Sequence, residues 1–369
     1  MKIVVLASHT KSLFWFRLDM MKDFVGKGHQ VMAVGSDPEC EWENKFRENH
    51  IKYKQLNVER NGLNIFKDVI TFIGLYKVLK DERPDKIFVY QAKTIIFGAV
   101  AARLCGITEV FVLIAGLGSV FRGSTFKSKI LKSIISRGYR LSCNFSKKVF
   151  LQNKDDKREL ISAGIVDEKK IVILNGSGVN LQEFSPVPFP VKPAFLFIGR
   201  LIKDKGVIEY LEACRIIKEK HKSIRCLLVG PFDSNPSSMK KSELQQYIDA
   251  GVVEYFGEQS DVRPYIAQAT VLVLPSYHEG TPKTVLEAMA MGRAIITSNA
   301  PGCRETVEEG GNGFLVPVKD ITGIVARMEQ LLNDSALCKK MGLASLKKVA
   351  DKYDVRKVNR SIMTEMGLV

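Results

Sequence analysis

Short, almost unbroken runs of aliphatic and aromatic residues recur along the chain. Longer stretches separate them, in which apolar residues return every three or four positions. In the first half the runs are KIVVLAS at 2–8, VMAVGS at 31–36, DKIFVY at 85–90, VFVLIA at 110–115, KVFLQN at 148–153 and KIVIL at 170–174. A strand with one wet face alternates apolar and polar residues, whereas a strand covered on both faces reads as a continuous apolar run. The stretches between, such as 65–80 and 94–104, carry helical periodicity. The pattern predicts a parallel sheet with helices on both sides.

The rhythm breaks at SPVPFPVKP, 185–193, where four of nine residues are proline. Proline neither continues a helix nor sits in a central strand, so this run reads as a linker. The rhythm restarts with AFLFIGR at 194–200, CLLVG at 226–230, VVEYFG at 252–257, VLVLPS at 271–276, AIITS at 294–298 and FLVPV at 314–318. A helical tail follows from about residue 321. The expected fold class is therefore α/β, with two doubly wound, Rossmann-like domains in series. They span 1–185 and 186–350, and a tail over 351–369 can cross back to the first domain. Ligands meet such sheets at the carboxyl ends of the strands, which makes a cleft between two of them the expected site.

Length and composition agree: 369 residues suit two domains. No run of about 20 uncharged apolar residues suggests a membrane span, and the opening MKIVVLASHTKSLFWFR lacks a secretory cleavage pattern. The expected location is cytoplasmic. Seven scattered cysteines without a C-x-x-C pair argue against disulfides and structural zinc, and five histidines show no metal-ligand spacing. The net charge of +15 is uneven: residues 1–185 hold 30 Lys and Arg against 19 Asp and Glu, and the rest 25 against 21. From Val110 to Lys154 there are nine basic residues and no acidic one. Such a field attracts phosphates, nucleic acid or anionic lipid.

Two segments carry chemistry. In FLFIGRLIKDKG, 195–206, a strand ends at Gly199, Arg200 follows at once, and Lys205 precedes a helix starting near Gly206. A guanidinium fork and an ammonium beside a helix N-terminus suit a diphosphate, especially one that gains charge on leaving. A solvated basic turn is the plain alternative. In HEGTPKTVLEAMAMG, 278–292, Glu279 lies on a loop and Glu287 in the helix that follows, eight positions on. Gly280 allows close backbone approach, and N–H groups from Thr281 to Val285 would point at a ligand. Glu287, in an apolar helix, needs a partner. Ribose hydroxyls would serve, as would an ordinary salt bridge.

The pair GRLIKDKG and EGTPKTVLEAMAMGRAII, with NGSGVNLQEFSP at 175–186 ahead of them, resembles the retaining glycosyltransferase family 4 of GT-B fold. The resemblance spans nearly the whole chain and includes the E-x7-E spacing of Glu279 and Glu287. It implies two domains facing a central cleft, and a catalytic group of Glu279, Arg200 and Lys205. Arg200 and Lys205 would hold the donor diphosphate, Glu287 the ribose, and Glu279 the donor sugar. Gly199, Gly280, Thr281, Pro282 and Lys283 would line the nucleotide-sugar site. No metal or other cofactor is implied, because the two cations and a helix dipole do that work. In the first domain LASHTKSLFWFR at 6–17, QAKTIIFGAVAA at 91–102 and IAGLGSVFRG at 114–123 resemble transferases that build lipid-linked oligosaccharides. These include bacterial enzymes adding N-acetylgalactosamine to undecaprenyl-diphosphate sugars. That likeness implies a UDP-sugar donor, a polyprenyl-diphosphate-linked acceptor and a place on the inner face of the cytoplasmic membrane. Ser12 would reach donor or acceptor, Lys93 the acceptor phosphate, and Gly116 and Gly118 the acceptor; a surface lysine at a helix start is the alternative for Lys93.

The acidic-free stretch 121–148 spaces Ile130, Leu131, Ile134 and Ile135 on a helix among Lys127, Lys129, Lys132 and Arg137. A basic amphipathic helix of this kind suits an anionic membrane surface; a helix with a solvated basic face is the plain reading. Nucleic acid is not an expected partner, because basic motifs interleaved with aromatics are missing. A nucleotide-sugar epimerase of the same fold remains the enzymatic alternative.

Overall fold

The computed structural model describes residues 1–58, 65–118, 121, 126–235 and 237–369. They form two compact units, Met1–Ser177 with Val355–Val369, and Gly178–Asp354.

The first unit is a seven-stranded sheet of β1 (Lys2–Leu6), β2 (Gln30–Gly35), β3 (Ile51–Gln55), β4 (Lys86–Tyr90), β5 (Val110–Ile114), β6 (Lys148–Leu151) and β7 (Ile171–Ile173). The order is β3-β2-β1-β4-β5-β6-β7, and every pairing is parallel. Its helices are α1 (Thr10–Gly26), α2 (Glu39–Arg47), α3 (Ile65–Glu82), α4 (Ala92–Leu104), α5 (Phe126–Phe145) and α6 (Lys154–Ser162). Alternate strand residues face opposite sides. Val4 and Leu6 join one buried cluster with residues of α3, α4, α5 and α6, while Ile3 and Val5 join another with α1 and α2. β1, β4 and β5 are buried almost throughout, as their unbroken apolar runs require. Strand β3, IKYKQ, escapes that criterion. It is an edge strand that alternates buried and exposed positions at its start, so no apolar run marks it.

The second unit is a six-stranded parallel sheet, β10-β9-β8-β11-β12-β13. Its strands are β8 (Ala194–Ile198), β9 (Arg225–Val229), β10 (Glu254–Tyr255), β11 (Val271–Leu274), β12 (Ala294–Ser298) and β13 (Gly313–Val316). The helices are α7 (Val207–Lys220), α8 (Lys241–Asp249), α9 (Arg263–Ala267), α10 (Lys283–Ala290), α11 (Ile321–Asn333) and α12 (Ser335–Lys348). Asp320 and Asp334 cap α11 and α12 by accepting from Gly323 and Leu337 amides at 2.9 and 2.8 Å.

Two boundaries differ from the sequence reading. The proline-rich run 185–193 lies inside the second unit and straps it. Phe189 packs on the core, the Arg293 guanidinium stands 5.1 Å from its ring, and Arg293 donates to the Pro188 carbonyl at 2.9 Å. The units divide instead at Ser177/Gly178 and Asp354/Val355, where the Val179 amide donates to the Tyr353 carbonyl at 2.9 Å. The last helix, α13 (Val355–Glu365), belongs to the first unit, where Val358, Ile362 and Met363 are buried in the cluster that holds α1. Asn359 donates to Asp23 of α1 at 2.7 Å.

Candidate active site

In the second unit the parallel strands deliver several loops to one edge of the sheet. After β8 the chain passes through Gly199 and Arg200 into a short helical turn, Lys203–Lys205, and reaches α7 through Gly206 in the left-handed conformation, φ 74°. A Cβ on Gly206 would lie 2.2 Å from the Pro275 carbonyl oxygen. This close approach brings the loop after β8 against the loop after β11. The Tyr277 amide donates to the Asp204 carbonyl at 2.9 Å, and the Ser276 hydroxyl donates to the same oxygen at 3.1 Å.

That docking carries Lys205 to Glu279, and the ammonium donates to the carboxylate, with both side chains largely buried. Glu279 is held from the other side as well. Its amide donates to the Pro301 carbonyl at 2.9 Å, and Gly302, φ 78°, lies so close that a Cβ would sit 2.1 Å from the Glu279 carbonyl oxygen. Arg200 is more exposed and donates to Asp233 at 2.8 Å, in the loop after β9. Gly199 donates from its amide to the Val229 carbonyl at 3.0 Å. Its own carbonyl would be 1.8 Å from a Cβ on Gly230, so the loops after β8 and β9 touch through two glycines.

Helix α10 starts after Pro282, which caps it without a side-chain bond. The expected row of ligand-facing amides from Thr281 to Val285 is shorter than the sequence implied, since proline has no N–H and Val285 donates to the Pro282 carbonyl at 3.1 Å. Gly280 is buried, while Thr281 and Lys283 are half-buried. Lys283 and Glu287, one turn apart, pair at 3.6 Å. Burial pushes the Glu287 carboxyl above its ordinary range, and the Lys283 charge only partly opposes this. Each cation of the group, Arg200, Lys205 and Lys283, thus has a carboxylate partner. An anionic ligand would enter by exchange with Asp233, Glu279 and Glu287.

Two residues that the sequence reading missed buttress the loops. Tyr277 donates to Glu209, in the first turn of α7, at 2.5 Å. Burial and that carboxylate raise the Tyr277 phenol well above its usual range. The signal in the sequence is an acid three residues after Gly206 and a tyrosine two before Glu279.

The first-unit residues fare differently. Ser12 is not on a loop; it lies in the first turn of α1, buried, bonded to the Tyr90 hydroxyl at 2.8 Å and accepting from Gln91 at 2.9 Å. Gln91 also accepts from the Ser8 hydroxyl at 2.8 Å and holds φ 72°, ψ 142°, a strained conformation for a side-chain-bearing residue. Lys93 is paired with Asp68 of α3 at 2.7 Å and largely buried, which sets its charge against a carboxylate within the fold. Gly116 and Gly118, φ 147° and 68°, follow β5; residues 119, 120, 122 and 123 of that motif lie outside the described residues. Arg17 of α1 was not anticipated. It is buried, its guanidinium is 5.4 Å from the Tyr90 ring, and its Nε and Nη1 have no hydrogen-bond partner among the described residues. Burial lowers it to about 10. Its signal is its place in the series Leu13, Arg17, Met20, Phe24, the inward face of the helix.

Among the described residues no three His, Cys, Asp or Glu side chains cluster to hold a metal ion.

Comparison with known proteins places this geometry in context. Residues 181–348 match the family described as "Glycosyl transferases group 1", and residues 2–153 match "Glycosyl transferase 4-like". The chain is 30% identical over 351 residues, 91% of each chain, to the N,N'-diacetylbacillosaminyl-diphospho-undecaprenol alpha-1,3-N-acetylgalactosaminyltransferase of Campylobacter jejuni. It is 27% identical to the UDP-Gal:alpha-D-GlcNAc-diphosphoundecaprenol alpha-1,3-galactosyltransferase of Escherichia coli, over 75% of this chain and 73% of that one. The fold matches Anabaena HepE, solved in complex with UDP-glucose, with a TM-score of 0.80, 16% identity and full coverage of both chains at 100%.

Proposed function

The chain belongs to the group 1 glycosyl transferases, enzymes of GT-B fold related to family 4, and from that premise we propose that it moves a hexose or N-acetylhexosamine from a UDP-sugar onto an undecaprenyl-diphosphate-linked saccharide, with retention at the anomeric carbon. The observation that supports the reading is that Lys205 and Glu279 pair between the segments that follow β8 and β11, neighbouring strands of one sheet, with Arg200 on the first of these segments and Glu287 on the second. The choice of acceptor is supported by two relatives whose names specify diphospho-undecaprenol sugars, one of them aligned over nine-tenths of both chains.

In this reading the donor diphosphate takes Lys205 from Glu279 and Arg200 from Asp233. Glu279 then turns to hydroxyls of the donor sugar, and Glu287 accepts from the ribose. The acceptor hydroxyl oxygen bonds the anomeric carbon as the bond to the diphosphate oxygen breaks. The electron pair leaves on UDP, and the hydroxyl proton passes to the departing phosphate oxygen, the nearest base on the face of attack. The two cations stabilise charge where it develops, typically the main source of acceleration in such catalysis, and no metal step is required.

A panel of UDP-sugars incubated with undecaprenyl-diphosphate-linked mono- and disaccharides, read by mass spectrometry, tests the proposal. One donor should extend one acceptor by a single sugar with release of UDP. Conversion of a UDP-sugar to its isomer in reactions without acceptor would instead identify an epimerase.

A further inference from the structure

Among the described residues, α3 and α5 of the first unit each carry more exposed large apolar side chains than any other element. On α3, Phe66 is 84% exposed, and Val69, Ile70 and Ile73 are each at least half exposed, at spacings of three, four and seven residues. On α5, Phe126 is 78% exposed, followed at spacings of four by Ile130 and Ile134. Helical spacing makes each set one continuous stripe. Farther along the same stripes cations enter: exposed Lys77 and Lys80 continue that of α3, ahead of Asp81, and exposed Arg137 that of α5, ahead of Leu141, which is 45% exposed.

Three relations set these stripes at one end of the unit. Both helices start where the chain leaves the carboxyl edge of the parallel sheet, so their apolar first turns lie toward that edge. Both pack on the sheet face that also holds α4, within one buried cluster. The first turns of α3 and α4 are joined by the pair Asp68–Lys93, and α5 approaches α4 so closely that a Cβ on Gly138 would sit 2.7 Å from the Ile96 side chain. The arrangement is two apolar tips at the carboxyl edge with cations behind them.

We propose that this face docks on an anionic lipid bilayer, the tips of α3 and α5 entering the acyl boundary while Lys77, Lys80 and Arg137 meet the headgroups. The order of chemistry along the stripes selects that occupant. A bilayer presents hydrocarbon at depth and negative charge above it, the sequence that α3 displays to Lys80 and α5 to Arg137. A protein interface tends to exclude charge from its centre instead. Among the described residues no helix is long and apolar enough to cross a membrane, so the contact is interfacial. The proposal rests on the functional reading in one respect, that the acceptor is lipid-linked and must be met at its membrane.

Co-sedimentation of the full chain with vesicles, without donor or acceptor, tests it. The wild type should pellet with phosphatidylcholine vesicles containing phosphatidylglycerol, and less with phosphatidylcholine alone. The double substitution Ile70→Ser with Ile73→Ser should weaken binding about tenfold at low and high salt alike. Lys77→Ala with Lys80→Ala should weaken it at low salt, with the difference shrinking as salt screens the charge. All four positions are exposed, and each variant should keep the wild-type unfolding midpoint and transfer to a short-chain, water-soluble acceptor. Wild type that stays in the supernatant, or an Ile70/Ile73 variant that binds as wild type does, overturns the proposal. So does a wild-type dimer in light scattering that the same variant converts to monomer, since a second copy would then own the face. Vesicle binding without any sugar transfer would defeat the functional reading and leave the surface standing.

Discussion

The Lys205 ammonium rests on the Glu279 carboxylate, 74 residues further along the chain. Because the two side chains hold each other in a largely dry setting, removing one changes stability as well as chemistry, and the two effects need separating. Lys205→Ala should lower turnover roughly 100- to 1000-fold and cost about 1–3 kcal/mol, because Glu279 loses its counter-charge. Adding Glu279→Gln should recover most of that stability and none of the turnover. Urea unfolding and steady-state kinetics on the two single variants and the double provide the check; near-normal turnover in Lys205→Ala ends the phosphate role.

Glu287 makes the site sensitive to pH. Its carboxyl is raised above the ordinary 4.5 by burial. At pH below the ordinary value the folded and unfolded chains are both protonated here. As pH rises, the unfolded chain ionises first, so this group withdraws stability until its raised native value is passed. Glu287→Gln should therefore unfold at a higher temperature at neutral pH and lack that part of the pH dependence. The carboxylate is the better acceptor for ribose hydroxyls, so UDP affinity of the wild type should fall as pH drops below the raised value. The variant should bind UDP about tenfold more weakly at neutral pH, and calorimetric titration with UDP across pH measures both.

Gly302 shapes the Glu279 loop from behind. Its φ of 78° disfavours any side chain, and a Cβ would overlap the Glu279 and Gly280 carbonyl oxygens. Gly302→Ala should cost on the order of 1–3 kcal/mol and displace Glu279. The expected signature is a raised KM for the sugar donor with a smaller change in UDP affinity, since UDP lacks the sugar. Unchanged KM would show that the loop adjusts without moving the carboxylate.

Arg17 is a buried cation that no carboxylate among the described residues pairs. Replacing a buried charge by an apolar chain of similar length is often stabilising. Arg17→Met should raise the urea midpoint, by about 1–2 kcal/mol in stability. A loss of stability would mean that the stacking of the guanidinium on Tyr90 outweighs its desolvation.

Much of the site was legible because its residues sit in contiguous motifs. Gly199, Arg200 and Lys205 occupy one strand-to-helix turn, and Glu279 through Glu287 another; local spacing singles these turns out, and their ligand roles are what the family resemblance implies. Ser12 and Lys93 carry partners within the fold that local spacing does not show. A serine in the first turn of α1 and a lysine in the first turn of α4 look available until Tyr90 and Gln91 reach the one and Asp68 the other. Strand β3 was missed because an edge strand needs no unbroken apolar run.

The amino-acid order alone determined the alternation of buried strands and amphipathic helices, and the two turns where cations and acids gather. Those are properties of near neighbours, set by side-chain period and turn chemistry. Tertiary structure decided which charges meet: Lys205 with Glu279, Arg200 with Asp233, Lys93 with Asp68. It also decided that the prolines of 185–193 strap a unit and that the tail joins the first one. Such pairings depend on strand order and on how closely loops approach through glycines such as Gly206, Gly230 and Gly302. Ion pairing and desolvation are functions of distance in space, on which separation along the chain places almost no constraint.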